Sequence, residues 1–160
     1  MKKIDELRYF DTRQELERYF NDNFEFIKNQ KITHCQTGGG YHLEPDFCVA
    51  DDYLYIEFKN GYKLKCSTLF YSSGEFYIGN NIDQPEWEPW IIHSLIGRKL
   101  VDFEIIKFSE EYEINPSTGE TRHAGGDYYR EIIFKLDNGK TLTIVAQDSL
   151  SDGYMDIFIK

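Results

Sequence analysis

Positive charge is scarce in the middle of this 160-residue chain. Between Ile32 and Gly97 the basic residues are Lys59, Lys63 and Lys65, and the same stretch holds nine carboxylates. The whole chain has a formal net charge of -10. Because so acidic a protein repels phosphate groups and anionic lipid headgroups, neither a nucleic acid nor a membrane is expected as its partner.

Cysteine and long apolar runs are also scarce. The three cysteines, Cys35, Cys48 and Cys66, are odd in number and lack paired spacing, which argues against a disulfide framework. No segment approaches the roughly 20 apolar residues of a membrane-spanning helix, and no apolar run follows the charged start. Gly38–Gly40 lacks the flanking residues of a phosphate-binding loop. We therefore expect a cytoplasmic protein without a cofactor.

What the chain does contain favours an antiparallel sheet. Aromatic residues make up 16% of the sequence, with 12 Tyr and 12 Phe, and both residue types prefer strands. A chain of this length is expected to form one domain with its own core. The composition and the patterns below predict a single α+β domain of 1–160, built mostly from hairpins and meanders.

Two helices are predicted beside the sheet. Thr12 and Glu15 form a capping box, and the apolar residues that follow recur at helical spacing up to Lys28. A second, short helix is predicted over 86–96, with Pro89 in its first turn, where a proline is tolerated.

Alternating polar and apolar residues predict the strands. Tyr53–Lys59 alternates and is followed by Asn60-Gly61, which predicts a hairpin with a type I′ turn. Asp137–Gly139 marks a second hairpin in a final three-stranded meander. Residues 109–126 are predicted to form a long excursion, with a protruding hairpin as one form of it.

The two hairpins resemble each other in sequence. Ile56–Leu64 and Ile132–Leu142 share an apolar strand, an Asn-Gly turn and a returning strand. Each half also has a predicted helix before it. This pattern suggests a degenerate duplication with halves at about 12–79 and 86–160, although unrelated hairpins also have similar sequences.

One pattern resembles the PD-(D/E)xK nucleases. Pro45-Asp46 precedes Glu57-Phe58-Lys59, and the resemblance implies that Asp46 and Glu57 hold a divalent metal while Lys59 orients the attacking water. The nuclease family continues with a helix, whereas here a turn and another strand are predicted. A metal-dependent nuclease is therefore kept as an alternative.

His34, Cys35, His42 and Cys48 lie within one short segment. Zinc sites usually contain tight pairs such as C-x-x-C, and these four residues are irregularly spaced. We therefore predict no metal site, no catalytic residue and no cofactor-binding residue.

An acidic, aromatic segment extends from Asp83 to Trp90. In one interpretation its tryptophans are core anchors and its acids surround a helix start, where they favour the positive end of the helix dipole. In the other it is an exposed recognition edge, because tryptophan anchors and surrounding carboxylates suit a basic partner. The candidate partner-binding residues are Asp51, Asp52, Glu75, Asp83, Glu86, Trp87, Glu88 and Trp90.

In overall profile the chain resembles the small acidic immunity proteins of bacterial polymorphic toxin and contact-dependent inhibition systems. The similarity is carried by the net acidity, the Asp137–Gly139 hairpin with its flanking strands, and the ending Ser151–Ile157. It implies a non-catalytic cytosolic protein that binds a cationic toxin domain, often a nuclease, and masks its active site. A small-molecule or peptide-binding α+β module is the remaining alternative.

Overall fold

The structure is a computed structural model of the chain. It describes residues 8–9, 13–39, 41–44, 47–50, 53–69, 72–86, 89–109, 112–114, 117, 121–123, 128–148 and 153–160. Among these residues, no helix is both long enough and apolar enough to cross a membrane.

The predicted N-terminal helix is confirmed, and it is shorter than expected. Helix α1 spans Arg13–Asn23 and continues as a 3-10 turn at Phe24–Phe26. Its apolar stripe is buried, with Leu16 and Phe20 fully inaccessible. The Asn23 side chain donates a hydrogen bond to the carbonyl oxygen of Tyr19 at 2.8 Å, which satisfies one carbonyl of the last turn. Thr12 of the predicted capping box lies outside the described residues.

Most of the chain forms two six-stranded antiparallel sheets. In spatial order, the first contains β1 (Arg8–Tyr9), β7 (Ser72–Gly79), β6 (Lys63–Leu69), β5 (Tyr53–Phe58), β2 (Ile32–Gly38) and β8 (Pro89–Ile91). The second contains β3 (Tyr41–Glu44), β4 (Phe47–Ala50), β14 (Gly153–Ile159), β13 (Thr141–Asp148), β12 (Tyr128–Leu136) and β9 (Leu100–Ser109). The predicted α+β class with mostly antiparallel sheet is therefore confirmed.

The predicted excursion carries a hairpin of its own. Strands β10 (Tyr112–Ile114) and β11 (Thr121–His123) pair antiparallel as a separate two-stranded sheet. The hairpin predicted at Asn60-Gly61 and the final meander are also confirmed.

The type assigned to the first hairpin turn was wrong. Gly61 has φ 89°, whereas Asn60 does not have the positive φ that a type I′ turn needs at both central positions. The Gly61 amide donates to the Phe58 carbonyl at 2.9 Å, and the Phe58 amide donates to the Tyr62 carbonyl at 2.9 Å. This pattern is a type I turn followed by a glycine bulge.

The second predicted helix was wrong as well. Pro89–Ile91 is edge strand β8, and the following helical turn is a short 3-10 helix at His93–Leu95. Strand β8 pairs with β2, and the Ile92 amide continues that pairing by donating to the Cys35 carbonyl at 2.9 Å. An edge strand tolerates Pro89, which has no amide hydrogen to donate, so pairing with β2 overrides the weak helical spacing.

One apolar core lies between the two sheets. β7 faces β12, β13 and β14 across it, and helix α1 closes one side. Phe20 of the helix is in ring contact with Phe76 of the first sheet and with Phe103 and Phe134 of the second, at 5.1 to 5.9 Å between ring centroids. The Phe20 ring therefore contacts both sheets at once.

The two sheets repeat the same strand order. β7, β6, β5 and β2 in the first sheet follow the same succession as β14, β13, β12 and β9 in the second. Along the chain, an extra pair of strands separates the first strand of each set from the three that follow. This pair is β3 and β4 after β2, and β10 and β11 after β9.

Equivalent backbone hydrogen bonds accompany this order. The Asn29 amide donates to the Leu100 carbonyl and the Gly97 amide donates to the Ile32 carbonyl, both at 2.8 Å. Asn29 and Gly97 both have positive φ, at 61° and 89°. The entries to β2 and β9 therefore contact each other reciprocally.

The two hairpin turns repeat a second set of bonds. Asn60 Oδ1 accepts from the Tyr62 amide at 3.2 Å, and Asn138 Oδ1 accepts from the Lys140 amide at 3.0 Å. Both turns also bond to the strand entry of their own half. The Lys59 amide donates to the Lys31 carbonyl at 2.8 Å, and the Asp137 amide donates to the Lys99 carbonyl at 3.1 Å.

Candidate functional site

The outer face of the first sheet carries polar and aromatic side chains. Along β5, Leu54, Ile56 and Phe58 belong to the core, so the alternating residues Tyr53, Tyr55 and Glu57 face away from it. The register places Gln36 of β2 opposite Tyr55 on this same face. We call this set, together with His34 and Tyr77, the polar face.

Residues 80–86 cross the polar face and are called here the connecting segment. They start at the end of β7 and lead towards β8, which lies on the far side of β6, β5 and β2. Backbone contacts hold the segment down: the Asn81 amide donates to Tyr77 Oη at 3.0 Å, and the Pro85 carbonyl accepts from Gln36 Nε2 at 2.7 Å. These contacts explain how Tyr53 and Tyr55 become buried on an outer face.

Gln36 is the hub of this arrangement and is fully buried. Its Nε2 also donates to Tyr53 Oη at 2.8 Å, while its Oε1 accepts from Gln84 Nε2 at 2.8 Å and contacts His34 Nε2 at 2.5 Å. Because the Pro85 carbonyl can only accept, the amide orientation is fixed, and the hydrogen of the His34 ring lies on Nε2. All four hydrogen-bonding positions of the Gln36 amide are therefore satisfied.

A glycine makes room for one ring of the polar face. A Cβ added to Gly38 would lie 2.0 Å from Cε1 of Tyr53, so the tyrosine ring rests directly on the glycine backbone. This contact holds the Tyr53 hydroxyl where Gln36 can reach it.

Gly38→Ala is expected to destabilise the protein by about 1–3 kcal/mol, because the ring must leave its position and break its bond to Gln36. Urea unfolding checks this value. Thr33→Ser, an exposed change on the same strand that keeps the hydrogen bond from the hydroxyl to the Glu57 carbonyl, is the control and should have little effect. An unfolding midpoint for Gly38→Ala equal to that of the wild type would contradict the described packing.

Tyr55 has the one unusual polar atom of the polar face. Its side chain is fully buried, and within the described part of the chain its hydroxyl forms no hydrogen bond of regular geometry. Burial raises the pKa of Tyr55 well above its usual value, and the carboxylates of Glu57 and, more weakly, Asp83 raise it further. The hydroxyl therefore lies near two carboxylates, and its contact with Glu57 falls short of a regular hydrogen bond.

Three of the predicted partner-binding residues are exposed. Asp83 and Glu86 are exposed on the connecting segment, and Trp90 is 46% exposed on β8, the last strand of the sheet. Trp90 is opposite Thr37, which is opposite Leu54, so it belongs to the face of the sheet that is away from the connecting segment. Across the described ranges, neither carboxylate forms an ion pair. We call Asp83, Glu86 and Trp90 the acidic edge.

The other candidates are placed less completely. Glu75 lies in β7 opposite Ser67, and its side chain is not described. The remaining four lie outside the described residues: Asp51, Asp52, Trp87 and Glu88.

The nuclease-like pattern is described in part. Glu57 is a half-buried residue of β5, and Lys59 is exposed in the turn that follows. Asp46 lies outside the described residues, and its neighbour Phe47 begins β4 of the other sheet. A strand, not a helix, follows Lys59, as the sequence predicted.

Two of the residues considered for zinc, which are neighbours in β2, lie on opposite faces of the sheet. Cys35 lies in the core, whereas His34, its neighbour in β2, belongs to the polar face. Over the residues that the structure covers, no group of three or more His, Cys, Asp or Glu residues could hold a metal ion.

All three cysteines are buried free thiols. Cys35 interacts electrostatically with both Cys48 and Cys66, so residues of both sheets meet in this part of the core. Burial raises the pKa of each thiol, that of Cys48 to about 12, with Asp156 contributing to Cys48. A raised pKa leaves almost no thiolate at neutral pH, which is the opposite of what a nucleophilic cysteine needs.

The native thiols are therefore expected to react with iodoacetamide at pH 8 at least about a hundredfold more slowly than a free cysteine, because the thiolate is the nucleophile. Labelling followed by mass spectrometry, with the urea-unfolded protein as the control, measures this difference. Equal labelling rates in the native and unfolded protein would show that the cysteines are not buried as described.

Sequence reasoning missed the residues that hold the site together. Gln36 and His34 lie in β2, which was not predicted as a strand, so there was no reason in the sequence to place them beside β5. The placement of Tyr55 and Glu57 on one face of β5 was predicted from alternation. A buried hydroxyl beside Glu57 depends on the connecting segment, and its path over the sheet leaves no periodic signal.

Comparison with known proteins adds no relative to this description. The chain matches no protein family, and neither the curated proteins nor the solved structures contain a match to it.

Proposed function

We propose that this chain is a non-catalytic binding protein that docks a basic protein partner on its acidic edge, as an immunity protein docks a toxin domain. The observation that carries the proposal is the 46% exposure of Trp90 on β8, the last strand of the first sheet among the described residues. A tryptophan is a common energetic anchor of interfaces, and its burial by a partner removes more surface from water than burial of a smaller residue would.

The charge of the connecting segment supports a basic partner. Asp83 and Glu86 are exposed and unpaired among the described residues, so their charge is available to an incoming protein. The net charge of -10 extends the attraction over longer distances and speeds encounter. The cationic surface with which a nuclease grips its substrate is complementary to such an edge.

The connecting segment supports a preformed binding surface. Gln36 and Tyr77 bind its backbone, and the Gln84 side chain is bonded to Gln36. Asp83 and Glu86 are therefore carried by a backbone that hydrogen bonds hold in place. Ordering a surface before binding lowers the entropy lost in the complex. The proposed setting is the cytoplasm of a bacterial cell.

Co-expression tests the proposal most simply. The chain is used to capture proteins from its native host at low and high salt, and a captured basic domain is then expressed alone and with the chain. We expect the domain to inhibit growth alone, and the wild-type chain to restore growth. A captured partner that is not basic, or toxicity that persists beside the wild-type chain, would refute the proposal.

We also infer that the chain is a duplicated unit, with halves at about 12–79 and 86–160. The shared strand order and the reciprocal bonds of Asn29 and Gly97 support this origin. Related sequences test it: their halves should align at these two positions and at both hairpin turns. Halves that align in no relative would contradict a duplication.

A further inference from the structure

The strongest unexplained feature of the polar face is the hydroxyl of Tyr55. Unsatisfied buried polar groups are rare in folded proteins because each loses its bonds to water without replacement. Glu57 is two residues along the same face and half-buried, and it forms no ion pair within the described part of the chain although Lys63 is its register partner. Glu57 is therefore close enough to influence the Tyr55 hydroxyl, but their contact falls short of a regular hydrogen bond.

Asp83 adds a second carboxylate from above. It precedes Gln84 and Pro85, which are bonded to Gln36, and Gln36 is opposite Tyr55 in the neighbouring strand. The connecting segment thus brings Asp83 over the part of the sheet that holds Tyr55 and Glu57. The electrostatic influence of both carboxylates on the Tyr55 hydroxyl agrees with this arrangement.

The basic groups of this face lie on opposite sides of Tyr55, one in each neighbouring strand. Lys65 lies opposite Tyr55 in β6, and its Nζ is 5.7 Å from the centre of the Tyr53 ring. His34 directs its Nε2 towards Gln36, and its ring is at 6.4 Å from that of Tyr55. Neither basic group forms a hydrogen bond with the Tyr55 hydroxyl.

We propose that Tyr55, Glu57 and Asp83 form a subsite for one basic side chain of the partner, with a guanidinium group preferred. This inference rests on the proposed function and names the chemistry that the partner brings to this surface. A guanidinium presents several N–H donors in a planar fork, so it can donate to both carboxylates and to the tyrosine oxygen together. Tyr55 then donates its own hydrogen to Glu57.

The subsite requires a small rearrangement of the free protein. The Tyr55 hydroxyl is covered, so the arriving group must open a path to it beside the connecting segment. The connecting segment has no regular secondary structure, and its hydrogen bonds to the sheet are made by Asn81, Gln84 and Pro85, which flank Asp83. Movement of the Asp83 side chain leaves these hydrogen bonds in place.

Nα-acetyl-L-arginine amide is the probe, because it carries the guanidinium without a free amine or carboxylate. We expect saturable changes in the NMR signals of the Tyr55 ring, with potassium chloride at equal ionic strength as the blank. Tyr55→Phe and Glu57→Gln should each weaken this binding at least about fivefold. Glu104→Gln, which removes an exposed carboxylate from β9 of the other sheet, should leave it unchanged.

Three results would overturn the inference. The Tyr55→Phe variant could bind the probe as tightly as the wild type does. The signal changes could fail to saturate and follow ionic strength alone, which would show that the probe has no specific site at Tyr55. Nα-acetyl-L-lysine amide could bind as tightly, which would refute the preference for guanidinium.

The subsite and the proposed function fail in different ways. If Tyr55→Phe leaves affinity for a captured basic partner unchanged while Trp90→Ala lowers it, the subsite is wrong and the docking edge stands. If the chain binds the arginine probe at Tyr55 but captures no basic protein, the proposed function is wrong.

Discussion

Trp90→Ala is expected to weaken binding of the basic partner by about 30-fold, or about 2 kcal/mol, the loss typical of an interface anchor. The side chain is 46% exposed in the free protein, and urea unfolding of the variant separates any loss of folding stability from the loss of affinity. Isothermal titration or biolayer interferometry with the captured partner measures the loss of affinity.

Phe26→Ala provides a matched control for Trp90→Ala. Phe26 is also 46% exposed, and it stacks on Tyr62 at 5.0 Å beside the turn that follows β5, at another part of the surface. Loss of an aromatic side chain at this position should leave affinity within about twofold of the wild type, as is usual outside a hot spot. Equal losses for the two variants would show that exposed aromatic surface in general, and not the acidic edge, decides binding.

Phe20→Ala is expected to lower the free energy of unfolding by about 3–5 kcal/mol, the range found for large-to-small changes of buried aromatics. The ring is fully buried and contacts Phe76, Phe103 and Phe134, so its loss leaves a cavity where helix α1 meets both sheets. Urea unfolding followed by circular dichroism measures the change.

The exposed phenylalanine of the same region again serves as the control. Phe26→Ala should cost far less than Phe20→Ala, since much of the Phe26 ring is already in contact with water. A loss below about 1 kcal/mol for Phe20→Ala would contradict a core that the helix shares with both sheets.

Local patterns were sufficient to predict the hairpins and the first helix. Alternation over β5 and the Asn60-Gly61 pair specify a tight reversal through contacts between near neighbours in the chain. Helix α1 has one apolar stripe, and burial of that stripe against a sheet follows from its spacing.

Long-range pairing was responsible for the main error. The segment around Trp90 has apolar residues at helical spacing, but its backbone pairs with β2, about 50 residues earlier in the chain, as the bond from Gln36 to Pro85 also shows. A sequence window around Pro89 contains no information about that partner. Helical spacing is a weak prior where a sheet edge is available.

The candidate site was predicted in its charged outer part and missed in its buried part. Asp83, Glu86 and Trp90 were chosen for their residue types, and all three are exposed on the surface. Gln36 was missed because its role depends on hydrogen bonds to four partners, and these are distributed over β2, β5 and the connecting segment.

The association rate with the captured basic partner, measured by stopped flow at about 50 and 500 mM salt, tests the acidic edge most directly. We expect the wild-type rate to fall about tenfold or more with salt, because ions screen long-range attraction. The Asp83→Asn/Glu86→Gln double variant should associate more slowly at low salt and match the wild type at high salt. The control Asp102→Asn/Glu104→Gln removes two exposed carboxylates from β9 and should resemble the wild type. A wild-type rate that is independent of salt, or equal slowing by both double variants, would contradict docking at this edge.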